Sequence, residues 1–174
     1  MTSKEFFNKV VNGHSDPLQI FLDLLKKEHI RFCVIGGLGV NAYAEPVVSL
    51  DLDLVIVAEK IDQILAKAKG IFKIEHFANS INLSYKNSDL RIQIQTDRRY
   101  QAFLKGKKIK NILGYHLPVA SIEDIFQGKV WAASDEKRRP SKRQKDLADI
   151  LRLIEVKPGL RKFLPEKLKN QLQG

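Results

Sequence analysis

The 174 residues are 44% hydrophobic and 29% charged, the makeup of an ordinary globular protein with room for one good core. No apolar run approaches the ~20 residues that span a bilayer, and Met1–Phe7 lacks the apolar core of a signal peptide, so a cytoplasmic, non-membrane setting is expected. The net charge of +10 is uneven: residues 1–87 carry ten basic and ten acidic side chains, residues 88–174 twenty against ten. Such a basic half is either a solvated surface or one that attracts polyphosphate or RNA.

In chain order, Asp16 followed by Pro17 reads as an N-cap and first helical position, and Leu18, Phe21, Leu22 and Leu25 continue an amphipathic helix over 17–27. Phe32–Ile35 reads as a buried strand ended by Gly36-Gly37, with a short helix over 38–43 before Glu45-Pro46. Leu52–Val57 reads as a second strand and Lys60–Lys69 as a helix stopped by Gly70. Strands are expected at 71–76, 80–85 and 90–96, a helix at about 98–105, and an extended stretch at about 108–119. Helices follow over 121–133, opened by a capping-box-like Ser121-x-x-Asp124, and over 141–156, with a shorter basic helix over 160–172. The order predicts an α+β fold, a mixed sheet backed by helices. A core over 1–120 with an N-terminal helix carries C-terminal helices (121–174) packed on it, most simply as a single compact unit.

Asp51 and Asp53 stand two apart where the second strand begins, so both carboxylates leave the same face. Two like charges that close call for a cation, and paired carboxylates suit Mg²⁺ (or Mn²⁺), which takes hard oxygen ligands and bridges to substrate phosphates. Thirteen residues upstream, Gly36-Gly37 permits a tight strand-to-helix turn. It also lets backbone N–H groups approach a triphosphate, with the following helix N-terminus favouring negative charge. Each motif alone is weak; their combination is more specific.

Cys33 is the only cysteine, which rules out an internal disulfide, and its apolar run suits a small core residue. His14, His29, His76 and His116 are scattered without zinc-ligand spacing, and there is neither a serine-nucleophile elbow nor a Walker loop. Tyr100, Tyr115 and Trp131 suit core packing better than base stacking. Lys129 falls in the apolar stripe of Ile122, Ile125, Phe126, Val130 and Ala133, so it must snorkel out, pair with Asp146 of the next helix, or meet a phosphate. Lys145 and Asp149 have the spacing of a helix-surface ion pair. The basic run from Lys137 to Arg143 is either a solvated turn or a grip on RNA.

An apolar residue, Gly-Gly, a spacer and Asp-x-Asp (here Ile35-Gly36-Gly37, thirteen residues, Asp51-Leu52-Asp53) resemble the nucleotidyltransferase superfamily typified by DNA polymerase β. Glu123–Lys129 and Lys142–Ile150 extend the resemblance to minimal bacterial nucleotidyltransferases related to AbiEii-type toxins, over roughly residues 30–156. The resemblance implies that fold, two Mg²⁺ ions and transfer of a nucleoside monophosphate from an NTP to an RNA, protein or small-molecule acceptor. It extends to a toxin–antitoxin component with a cognate partner protein. In this reading Asp51 and Asp53 are catalytic and bind metal, Gly36 and Gly37 hold the triphosphate, and Ser49, Lys129, Lys145 and Arg143 serve the phosphates. The superfamily's third carboxylate has no clear counterpart. Strand 90–96 offers Gln93 and Gln95, and Asp97 shares their parity but suits the cap of the helix at Arg98. The alternative is therefore a catalytically inactive nucleotidyltransferase fold that binds nucleotide, RNA or a protein.

Overall fold

A computed structural model describes residues 1–12 and 15–172; His14 lies outside the described residues. The chain runs α1 (Ser3–Val10), α2 (Pro17–Lys27), β1 (Phe32–Ile35), α3 (Gly36–Asn41), β2 (Asp51–Ile56) and α4 (Ile61–Ala68). It continues through β3 (Lys73–His76), β4 (Ser80–Ser84), β5 (Arg91–Gln95), β6 (Lys108–Ile112), β7 (Tyr115–Val119), α5 (Ile122–Ser134), α6 (Pro140–Val156) and α7 (Glu166–Gln171). Short 3-10 helices lie at Ala58–Lys60, Arg98–Leu104 and Pro158–Phe163.

The expected α+β architecture is present, as a mixed sheet ordered β3-β4-β5-β2-β1-β7-β6. Strand β2 runs antiparallel to β1 and parallel to β5, and β1 runs parallel to β7; β3–β4, β4–β5 and β6–β7 are antiparallel. Leu52 and Leu54 on β2, with Ile92 and Ile94 on β5, are buried on one face. Full burial of each such side chain contributes about 1.5–3 kcal/mol, which holds β2 firmly beneath its two aspartates. Because paired residues share a face, Asp51 stands abreast of Arg91 and Asp53 abreast of Gln93. Cys33 is fully buried, and that burial pushes its thiol up to about 12, as suits a core residue.

Several elements differ from expectation. Helix α1 opens with a capping box, Thr2 accepting from Glu5 N while Thr2 N donates to the Glu5 carboxylate. The extended stretch at 108–119 is a hairpin, its strands joined at Leu113 (φ 54°) and Gly114 (φ 83°). The expected helix at 98–105 is a 3-10 segment. The basic helix over 160–172 is divided, because Pro165 cannot continue the Pro158–Phe163 segment and instead precedes α7. No helix among the described residues is long and apolar enough to cross a membrane.

Candidate active site

Gly36 has φ +65°, and a side-chain carbon there would sit 2.0 Å from Asp53 Oδ2. Only glycine both adopts that conformation and leaves room for the carboxylate. Beside it, a carbon on Gly37 would lie 3.4 Å from Ser49 Oγ and 4.0 Å from Lys145 Nζ. Helix α3 runs only six residues, so backbone N–H groups, rather than an extended helix dipole, are what this turn offers an anion.

Asp51 and Asp53 share a face and line one cavity of about 250 Å³ together with Gly37, Ser49, Lys142 and Lys145. Their environments differ. Asp51 accepts from Arg91, at 3.0 Å from Nε and 2.7 Å from Nη2, and Lys142 Nζ stands 3.8 Å away. Asp53 has charged neighbours but accepts no hydrogen bond among the described residues. Burial raises its pKa above the ordinary aspartate value; Lys129 opposes that rise, Asp51 adds to it, and Lys145 and Arg91 oppose it. Ser49 is buried with its hydroxyl on the backbone of Asp51, 3.3 Å from the carbonyl and 3.4 Å from the amide.

The facing wall comes from α5 and α6. Lys129 donates to Asp146 Oδ1 at 3.0 Å, and its Nζ lies 2.7 Å from Asp149 Oδ2, paired by charge but out of line for a hydrogen bond. Burial pulls the Lys129 pKa down, but Asp149 and Asp146 outweigh it, so the net direction is up and the ammonium is retained. Arg138 also donates to Asp146, and Arg152 donates to Asp149 Oδ1 at 2.7 Å. The expected Lys129–Asp146 pair is thus present within a larger network. Asp149 turns to Lys129 and Arg152 instead of Lys145, which leaves the Lys145 ammonium over the glycine turn.

Gln93 lines the 250 Å³ cavity and a smaller one of about 100 Å³ that runs under Gly128 and Lys129. Gln95 accepts from Asp97 N at 3.0 Å. Asp97 caps the 3-10 segment, accepting from Arg99 N and pairing with the Arg99 guanidinium at 2.7 Å. It therefore takes the capping role and leaves Gln93 abreast of Asp53. Arg143 is not among the residues lining these cavities, whereas Lys142, Arg138 and Arg91 are. For two of them a partial signal was available: Lys142 lies one turn before Lys145, and Arg91 shares the strand face of Gln93, though not its register against Asp51. Tyr100 and Tyr115 are buried, and Trp131 packs on Phe103 (5.7 Å, 14°) with Arg99 over its ring, in line with packing roles.

The donors for a cation are two carboxylates and the Gln93 amide oxygen; among the described residues no group of three or more His, Cys, Asp or Glu side chains gathers. A partly buried Asp53 that accepts no hydrogen bond among the described residues, beside a second carboxylate, fits one hard divalent ion.

The fold is similar to that of solved nucleotidyltransferases. Among solved structures, the antibiotic-resistance factor ANT(2'')-Ia matches with a TM-score of 0.58 and 13% identity, over 83% of this chain and 89% of that one. The lincomycin-bound lincosamide antibiotic adenylyltransferase LnuA matches at 0.54 and 16%, over 78% and 95%. An antigenic nucleotidyltransferase-like protein from Paracoccidioides brasiliensis matches at 0.55 and 20%, over 88% and 78%. No family model matches the sequence, and a search of curated proteins finds no match.

Proposed function

We propose that the cleft binds an NTP with one divalent cation and transfers its nucleoside monophosphate to an acceptor hydroxyl. The observation that carries this reading is the partly buried Asp53, abreast of Gln93 and pressed against the Gly36 turn, opposite a wall of lysines. Asp51, Asp53 and Gln93 Oε1 are the groups that would hold Mg²⁺ or Mn²⁺; a bound ion would stabilise charge on the α-phosphate. The backbone at Gly36–Gly37, the Ser49 hydroxyl, Lys142 and Lys145 bind the β- and γ-phosphates and draw charge toward the leaving pyrophosphate. Lys129 faces Asp53 from the helix wall and keeps the carboxylate available despite its burial. In the transfer, the acceptor oxygen bonds to the α-phosphorus, the bridging P–O bond breaks, pyrophosphate leaves and the hydroxyl proton passes to solvent.

The neighbours named above include an adenylyltransferase of lincosamide antibiotics, which makes a small-molecule acceptor as natural as an RNA end or a protein hydroxyl. The likeness to AbiEii-type toxins rests on sequence motifs, and it extends the proposal to a cytoplasmic toxin with a cognate antitoxin. Growth arrest on expression, relieved by an adjacent gene, tests that extension.

Incubation with α-labelled NTPs, Mg²⁺ and total RNA or lysate tests the transfer itself. Label must move to an acceptor, and Asp51→Asn plus Asp53→Asn must abolish it. A second reading is favoured by Gln93 in the place of a third carboxylate and by Arg91 on Asp51. It is a nucleotidyltransferase fold that binds nucleotide, RNA or a partner protein without turnover. Nucleotide binding with no labelled product from any acceptor supports that reading.

A further inference from the structure

Beyond Gln93 the cleft opens into another arm of about 230 Å³, between the polar face of β4–β5 and the C-terminal end of α5. We propose that this arm is the acceptor subsite and takes a small, neutral, hydroxyl-rich molecule of the sugar class. The proposal rests on the nucleotidyl-transfer reading and names its acceptor.

Position is the first argument. With the triphosphate on Gly37, Ser49 and Lys145, pyrophosphate leaves toward that basic arm. An in-line displacement brings the attacking oxygen from the opposite side. Gln93 lines both arms, so the opposite side is the one that Gln95, Asn79 and Asp135 surround.

Charge is the second. The arm holds two acids and two bases, Asp97, Asp135, Arg99 and Arg138, so its formal charge is zero. Both arginines are committed, Arg99 to Asp97 at 2.7 Å and Arg138 to Asp146. Nothing there offers the excess of acids a polycation needs, or the uncommitted cations an RNA backbone needs.

The third argument is the kind of contact on offer. Trp131 is already covered by Phe103 and Arg99, and Tyr100, the other ring on the arm, is buried edge-on against Phe103 and Trp131, so neither offers an open face for a nucleobase to stack on. It presents carboxamides: Gln95 has its oxygen fixed on Asp97 N, which leaves its NH₂ group to donate, and Gln93 and Asn79 add donors and acceptors. The volume lies below the ~300 Å³ at which drug-sized pockets begin, enough for one or two saturated rings.

Trp131 is the only tryptophan and borders the arm, so its emission reports occupancy. The full chain is titrated with glucose, galactose, N-acetylglucosamine and sucrose as neutral probes, with kanamycin as a polycation and with a short single-stranded RNA. The expected result is a saturable emission change with a neutral probe. Gln95→Leu weakens it about tenfold and Asn79→Ala, at an exposed position, weakens it less, while Mg·ATP affinity stays unchanged in both. Saturation only by kanamycin or RNA, or by no probe, overturns the proposal. So does a loss of ATP affinity equal to the loss for sugar, which would place the nucleotide in this arm. Sugar binding by a chain that binds no nucleotide refutes the transfer reading instead, and labelled transfer to other acceptors without any sugar response refutes only the subsite.

Discussion

Arg152 of α6 and Asn41 at the end of α3 are joined, guanidinium Nη2 to Oδ1 at 2.9 Å, and Arg152 also donates to the Glu45 carbonyl. Asn41 in turn holds Val47 from both sides, its amide donating to the carbonyl at 2.7 Å and its oxygen accepting from the N–H at 3.1 Å. The loop that presents Ser49 is thus fastened to the same helix that carries Lys145. Asn41→Ala removes both bonds to Val47, so a stability loss of about 1–3 kcal/mol is expected in urea denaturation. NTP affinity should fall with it while the metal affinity of Asp51 and Asp53 holds, which isothermal titration with Mn²⁺ and then with nucleotide separates.

Removing the Lys129 ammonium leaves two buried carboxylates with less compensation. Lys129→Met should therefore destabilise the fold by about 3 kcal/mol, the lower end for a broken buried pair, because Arg138 and Arg152 remain. Lys129→Arg keeps the charge and should recover part of the loss in the same denaturation experiment.

Asp53 carries a pH signature. Its pKa is raised in the folded chain, first by burial, so the native state keeps that proton to a higher pH than the unfolded state. The group costs nothing below the ordinary aspartate value of 3.8, and stability is lost as pH rises from there through the raised native value. Asp53→Asn should therefore raise the thermal midpoint at neutral pH, read by thermal denaturation of both chains side by side. The gain should vanish at pH below 3.8. In the wild type, protons should compete with Mn²⁺ at a higher pH than they do at an ordinary carboxylate pair.

Gly36→Ala adds a carbon where Asp53 Oδ2 now sits, on a backbone at φ +65°. The strained conformation costs about 1–2 kcal/mol, and Asp53 must also move. Mn²⁺ affinity should drop further than in Gly37→Ala, where the nearest atom is 3.4 Å away. Equal affinities in the two variants would mean that the Gly36–Asp53 contact does not shape the proposed cation site.

Much of this cleft was legible in the linear chain because its signals are local. Strand parity alone put Asp51 and Asp53 on one face, and a lysine inside an apolar stripe required a partner such as Asp146. Register between distant segments was not legible: nothing near Arg91 announces that it stands abreast of Asp51 forty residues away. Asp149 misled for the opposite reason, since its spacing from Lys145 satisfies a local rule that the buried Lys129 overrides. The β6–β7 hairpin escaped notice because Lys108, Ile109 and Asn111 are exposed on an edge strand and show no clean alternation.

The parallel register that sets Gln93 beside Asp53 also has an evolutionary reading. Glutamine and glutamate differ in shape by almost nothing and in their codons by a single base. A two-acid centre and a three-acid centre on this scaffold are therefore neighbours in mutational space, and loss or recovery of the third negative charge needs no rebuilding of the sheet.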